Sequence, residues 1–236
     1  MSRSPRKRQI IAISGRAFAS SSTNHMSLFD YALAQSNQKS PKVGLLNQAS
    51  AEDPHHAAFF EQKCHNLGAI PTQFSLFGRV DLKKVTTEIL KQDLIFVGGG
   101  NTLSMLALWK AYDLDQTLYQ AYQKGCVLAG VSAGAICWFE QAMSDSVWPL
   151  APLEGLKWIK GSLCTHYDSE VERRPLTLKS LKDKKLIDGF ALDDFTAIHF
   201  INETPHRFIS SQSERFIYRI NQQGEQQIIP EFINQS

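Results

Sequence analysis

Short apolar runs alternate with helical patterns along the first two-thirds of the chain. QIIAIS (9–14) reads as a strand and NHMSLFDYALAQ (24–35) as a helix. KVGLL (42–46) is the next strand, AAFFEQKCHNLG (57–68) a helix, TQFSLF (72–77) a third strand and DLKKVTTEIL (81–90) a helix. DLIFVGG (93–99) is a fourth strand; two helices, NTLSMLALWKA (101–111) and DQTLYQAYQKG (115–125), precede a fifth, CVLAGV (126–131). Leu103, Leu106, Ala107 and Lys110 recur at helical spacing, with the lysine stem able to lie along an apolar edge. Alternation of this kind predicts βαβ units with right-handed crossovers. The last third changes character. LTLKSLKDKKLIDGF (176–190) reads as one more helix, and FTAIHF, RFIYRI and EQQIIPEF as antiparallel strands.

The expected fold is therefore three-layer α/β, a mostly parallel sheet with helices on both faces and antiparallel strands near the C-terminus. At 236 residues the chain buries roughly 70–75% of its unfolded surface, enough for one large core. No repeat and no linker rich in glycine, proline or serine divides it. The expected organisation is a basic N-terminal tail over residues 1–8, solvated, and a single domain over 9–236.

Composition narrows the function classes. A net charge of +2 does not imply a nucleic-acid or membrane partner. No apolar run approaches a membrane span, and IIAIS behind the basic cluster is too short for a signal peptide. Cys64, Cys126, Cys137 and Cys164 show no C-x-x-C spacing, so free thiols in a reducing cytoplasm are expected. No histidine, cysteine and aspartate cluster has zinc-ligand spacing, and neither a metal nor another cofactor is expected.

Candidate chemistry begins at GCVLAGVSAGAICWFE (125–140), where an apolar strand ends on Ser132 between small residues. G-x-S-x-G between a strand and a helix is the nucleophile-elbow pattern: small neighbours let the helix pass close to the strand and lift the hydroxyl clear. The alternative is a tight structural turn. About thirty residues upstream, Gly98, Gly99 and Gly100 follow another strand, in a loop that is neither G-x-x-x-x-G-K-[ST] nor G-x-G-x-x-G. N–H groups from Gly99 or Gly100 together with that of Ala133 would form an oxyanion hole. Asn101 or Thr102 could cap the following helix, and Asn101 is also a candidate substrate contact. Both glycine turns lie at strand ends, where open α/β sheets bind ligands.

DLIFVGGGNT, GVSAGAICWFE and the histidine of CTHYDSEVERRP together resemble peptidase E, the serine peptidases that include aspartyl dipeptidases and cyanophycinases. The likeness runs from KVGLLNQAS to ALDDFTAIHF. It implies a fold like class I glutamine amidotransferases, with serine in place of their cysteine nucleophile, and cleavage of small peptides after an N-terminal aspartyl residue through an acyl-enzyme.

Of seven histidines, His166 ends an apolar run at the tip of an expected strand and matches the family histidine; His199 reads as a packed strand residue. For the acid that orients the base, Asp145 has the order Ser, Asp, His and corresponds approximately to an acid assigned in peptidase E. Glu203, after the late strand, is the rival, while Asp168 is too near His166 in sequence. Arg173 and Arg174, in an expected loop, could pair with a substrate carboxylate. A solvated charged loop is the alternative. A monomer or homodimer acting on a small peptide is expected. Two other readings stay open: an α/β-hydrolase esterase, against which only 104 residues follow Ser132, and a non-catalytic amidotransferase-like module that binds a small ligand.

Overall fold

The computed structural model describes residues 7–20 and 25–233. Five parallel strands form one side of an eight-stranded sheet, out to its β3 edge: β1 (Gln9–Ile13), β2 (Lys42–Leu46), β3 (Ile70–Gln73), β4 (Leu94–Val97) and β5 (Val127–Val131). Their spatial order is β3-β2-β4-β5-β1. They are joined by α1 (Leu28–Ala34), α2 (Pro54–Asn66), α3 (Leu82–Ile89), α4 (Thr102–Ala111) and α5 (Leu114–Gln123).

Beyond β5 comes a single helical turn, α6 (Ala133–Ile136), and the chain then builds a second sheet. Its strands are β6 (Phe139–Ser144), β7 (Ala151–Glu154) and β8 (Ile159–Cys164), followed by helix α7 (Arg173–Lys182) and strand β9 (Gly189–Leu192). The chain returns to the first sheet as β10 (Thr196–Ile201), antiparallel to β1, and β11 (Thr204–Ser210). A hairpin of β12 (Ile217–Asn221) and β13 (Gly224–Ile228) completes the second sheet, and β14 (Glu231–Phe232) edges the first.

The period-2 alternation of the central strands divides their side chains between two cores. Ile10, Ala12, Ile95, Val97 and Leu128 pack with α4 and α5 through Met105, Trp109 and Leu118. Ile11, Ile13, Leu94, Phe96 and Ala129 pack with α1 and α2 through Phe29, Ala32 and Phe60. A sheet buried on both faces needs apolar residues at every position, which is why these strands read as unbroken apolar runs. Phe139, Leu163 and Ile217 of the second sheet join the α4–α5 side, while its other face packs on α7 through Leu181.

Of the second sheet the pattern foretells the end of β8 and the antiparallel β12–β13 pair, but not the sheet that they join. β7 and β9 are four residues long, too short for a period to register. Two local expectations change with it. The helix expected at 176–190 runs over 173–182, and its GF end belongs to β9. Of the expected tail, residues 1–6 lie outside the described residues, but Arg8 is docked: its N–H donates to Asn202 Oδ1, and Glu203 accepts from its guanidinium twice at 2.8 Å.

Candidate active site

The serine turn is tight because two glycines allow it. A Cβ on Gly130 would collide with the carbonyl of Gly134, and one on Gly134 with the carbonyl of Val97. With both absent, the backbone turns through Ser132 at φ 55° and ψ −113°, a left-handed conformation that costs a non-glycine residue about 1–3 kcal/mol. The Ser132 N–H is tied to the carbonyls of Ile13 and Ser14, each at 3.0 Å. The glycine loop after β4 faces this turn, since a Cβ on Gly99 would stand 3.3 Å from the Ser132 Cβ. Among the described residues, the N–H groups of Gly99, Gly100 and Ala133 have no hydrogen-bond partner, whereas Gly98 donates to Leu46.

Two strands of the second sheet deliver the partners. β8 and β9 run parallel, with Cys164 opposite Ala191, so the residues just past their ends are neighbours. Past β8 stands His166, whose Nε2 lies 2.9 Å from Ser132 Oγ. Past β9 stands Asp194, whose Oδ1 lies 2.8 Å from His166 Nδ1. With the carboxylate ionised, the imidazole tautomer protonated at Nδ1 satisfies both contacts: Nδ1–H donates to Asp194 and the serine hydroxyl donates to Nε2. Ser14 fixes the histidine from behind, accepting from the His166 backbone N–H at 2.8 Å and donating to the Leu192 carbonyl at 2.9 Å. Gly15 leaves room for the Asp194 carboxylate, which a Cβ there would strike. His166, like Ser132, has a positive φ, 56°.

Burial by itself would raise the pKa of Asp194, but the hydrogen bond and charge of His166, with help from Ser169 and Arg16, outweigh it and hold the group below the usual aspartate value. Its neighbour Asp193 goes the other way. Burial first, then the charge of Asp168, push it up to about 6, although the Phe216 N–H donates to it at 2.9 Å. Between its ordinary value of 3.8 and about 6 the folded protein holds a proton that the unfolded chain has released, so stability falls as pH rises through that window. Asp193→Asn is therefore expected to raise stability at about pH 8 by on the order of 1–2 kcal/mol, with no gain below about pH 4. Urea unfolding at the two pH values measures this; an equal effect at both would rule out titration as its cause.

Two cavities meet at Ser132. One of about 520 Å³ is walled by Ser132, His166, Gly99 and a set of aromatic side chains. The other, about 260 Å³, is walled by Ser132, Gly100, Asn101, Asp145, Glu170 and Arg173. Among the described residues no group of three or more histidine, cysteine or acidic side chains is arranged to hold a metal ion, and no helix is long and apolar enough to cross a membrane. All four cysteines are buried free thiols.

Several expected residues stand elsewhere than the sequence suggests. Asp145 is not on His166; its side chain is 62% exposed and pairs with Arg173 at 3.4 Å. Glu203 lies beyond the far end of β10, roughly 20 Å from Asp194 at strand rise. There it pairs with Arg8 and accepts from the Tyr122 hydroxyl at 2.9 Å. Asn101 has both ends of its amide engaged: Oδ1 accepts from the Ser104 N–H at 2.9 Å as a helix cap, and Nδ2 donates to the Ser146 carbonyl at 3.0 Å. Arg173 and Arg174 belong to the first turn of α7 rather than a loop, and they diverge. Arg173 is buried against the smaller cavity, donating to Glu170 at 2.6 Å and the Met143 carbonyl at 3.2 Å. Arg174 lies over the rings of Tyr167 and Tyr218 and pairs with Glu225, away from Ser132. His199 is packed, with the Tyr31 hydroxyl at its Nδ1.

The sequence reading missed Asp194, Ser14 and Gly15. A signal for the first exists: the acid pair in ALDDF directly follows an apolar run, as His166 follows SLCT.

Relatives of known sequence and structure identify the family. The chain is 39% identical over 213 residues to the uncharacterized peptidase YgaJ of Bacillus subtilis (strain 168), covering 90% of this chain and 92% of that one. Its fold is similar to a crystal structure of a peptidase from an acI-B1 Actinobacterium, with a TM-score of 0.72 at 16% identity over 96% of both chains. It is also similar to a Listeria monocytogenes EGD-e structure that carries the peptidase E name, with a TM-score of 0.64 at 18% identity over 85% of this chain and 97% of the other. The model of peptidase family S51 matches residues 10–208, the span that holds the serine turn, the glycine loop and the strand ends bearing His166 and Asp194; the chain belongs to peptidase family S51 and is a serine-type peptidase.

Proposed function

We propose that the protein hydrolyses small peptides after an N-terminal aspartyl residue, with Ser132 as nucleophile, His166 as general base and acid, and Asp194 as the group that orients the imidazole. The observation that carries this reading is the unbroken chain of contacts from Ser132 Oγ through both ring nitrogens of His166 to Asp194, at 2.9 and 2.8 Å. As Oγ attacks the peptide carbonyl, Nε2 takes its proton, and Asp194 stabilises the imidazolium that forms. The carbonyl oxygen becomes an anion facing the N–H groups of Ala133 and the Gly99–Gly100 loop. Collapse expels the amine, which receives the proton from Nε2, and leaves an acyl-serine that water hydrolyses by the same steps in reverse roles.

The smaller cavity supports the substrate assignment. Arg173 offers a charge for the aspartyl side chain, while Glu170 and Asp145 beside it offer partners for a free α-ammonium. An N-terminal aspartyl residue carries one charge of each sign, and a cavity of about 260 Å³ suits a single residue rather than a longer chain. A fluorophosphonate probe should label Ser132, and a dipeptide screen with varied first residue should favour Asp-X. Arg173→Lys should raise KM on Asp-X by at least about tenfold, since lysine keeps the charge and loses the fork, with a much smaller change on neutral first residues. Absence of labelling would favour the binding-module reading; labelling without preference for Asp-X would remove the aspartyl assignment.

A further inference from the structure

The larger cavity points to what leaves. As the tetrahedral intermediate collapses, His166 must hand its proton to the leaving nitrogen, so the leaving residue stands on the histidine side of the serine. His166 walls the cavity of about 520 Å³ and does not wall the smaller one. If the acyl residue occupies the smaller cavity, the larger one receives the residue beyond the scissile bond.

Its walls are aromatic and aliphatic: Phe18, Phe59, Phe60, Phe96, Leu45 and Val131. Phe18 is held between neighbours, its ring centroid 5.2 Å from Phe96, 5.3 Å from Phe59 and 4.8 Å from Phe29. Phe60 and Phe96 are anchored in the core, while Phe59 is 45% exposed. Such a surface gains by burying an apolar side chain and loses by burying a charged one. Among the described residues no carboxylate lines this cavity; its charged or titratable wall groups are Arg16, His56 and His166.

Arg16 is the second observation. It follows β1 at φ 58°, exposed, with its carbonyl accepting from the Ala19 N–H at 2.9 Å. Among the described residues its guanidinium forms no hydrogen bond and no ion pair; its charge acts on Asp194 from a distance. An unpaired guanidinium beside an apolar cavity complements a carboxylate attached to an apolar residue, which is the C-terminal residue of a short peptide. We propose that the larger cavity is the leaving-residue subsite, that it takes an apolar side chain, and that Arg16 takes the free α-carboxylate, so that the enzyme is a dipeptidase for substrates ending in an apolar residue. This deepens the reading above and rests on it.

The test uses the best first residue of the dipeptide screen, written Z, and compares Z-Leu, Z-Phe, Z-Gly, Z-Asp and the amide Z-Leu-NH₂. Wild type should show kcat/KM at least about tenfold higher on Z-Leu and Z-Phe than on Z-Gly or Z-Asp, and about tenfold higher on Z-Leu than on its amide. Arg16→Gln should erase the acid-over-amide gap, raising KM on the acid at least about fivefold more than on the amide, and be partly rescued by Arg16→Lys. Phe59→Ser, at an exposed position, should narrow the Leu-over-Gly ratio. If Ser132 is labelled but cleavage is insensitive to the second side chain and to amidation, or if no dipeptide is cut, this proposal is overturned while the serine mechanism stands. If Arg16→Gln weakens acid and amide alike, the carboxylate role of Arg16 is overturned. Failure to label Ser132 removes the mechanism and this proposal with it.

Discussion

Ser132→Ala is expected to lower kcat by at least about 10⁴-fold on any peptide that the wild type cleaves. Only the attacking oxygen disappears. The backbone ties of residue 132 to Ile13 and Ser14 involve its N–H, so they survive, and alanine meets the same left-handed strain that serine already bears. The melting temperature should stay within a few degrees of wild type, because the hydroxyl is hydrogen-bonded to the half-buried His166 ring and the core around the turn is untouched. Residual rate would come from the N–H groups around the carbonyl and from positioning. Steady-state hydrolysis with a matched thermal melt decides it: a well-folded variant within tenfold of wild type removes the serine mechanism.

Asp194→Asn should cost about 10³–10⁴-fold in kcat with little change in KM. In the proposed mechanism the carboxylate accepts from His166 Nδ1–H and holds the other nitrogen free to take the serine proton. An asparagine can present its amide N–H₂ instead, which favours the opposite tautomer and blocks the base. The comparison with two other acids makes the test sharp. Asp145→Asn loosens Arg173 and should act on KM for acidic first residues, leaving kcat within about threefold. Glu203→Gln breaks the pairing with Arg8 at the far end of β10 and should leave kcat unchanged. Loss of kcat in Asp145→Asn comparable to that in Asp194→Asn would sink the orientation role given to Asp194. The pH dependence has a defined sign as well. Because the folded-state pKa of Asp194 is held below 3.8, its stabilising effect is present above that value and is lost as pH falls through the folded pKa.

The acid explains the limit of sequence reading here. Asp145 and Asp194 lie 13 and 62 residues from Ser132, and distance along the chain does not choose between them. What separates them is that β8 and β9 are adjacent and parallel, so their exits point the same way. That pairing joins segments about 27 residues apart across helix α7, and β9 is too short to announce itself. The arginines make the same point. Arg173 and Arg174 are chemically alike and adjacent, yet successive positions on a helix differ by about 100° in direction. One is therefore buried at the cavity and the other lies over tyrosines, a division that depends on where α7 packs.

By itself the sequence determined the features that are local. Apolar runs set the parallel strands, because a doubly covered strand needs an apolar residue at each step. Glycines at 99, 130 and 134 marked the turns, because a Cβ at 130 or 134 would collide with backbone, and the serine between them and the histidine after SLCT stood at strand ends. The tertiary structure alone decided which acid meets His166, which arginine faces Ser132, that the Asn101 amide N–H is tied to the Ser146 carbonyl, and that Arg16 stands beside an aromatic cavity. Each of these depends on contacts between segments distant in the chain, and their geometry is set by sheet pairing and core packing rather than by residue type.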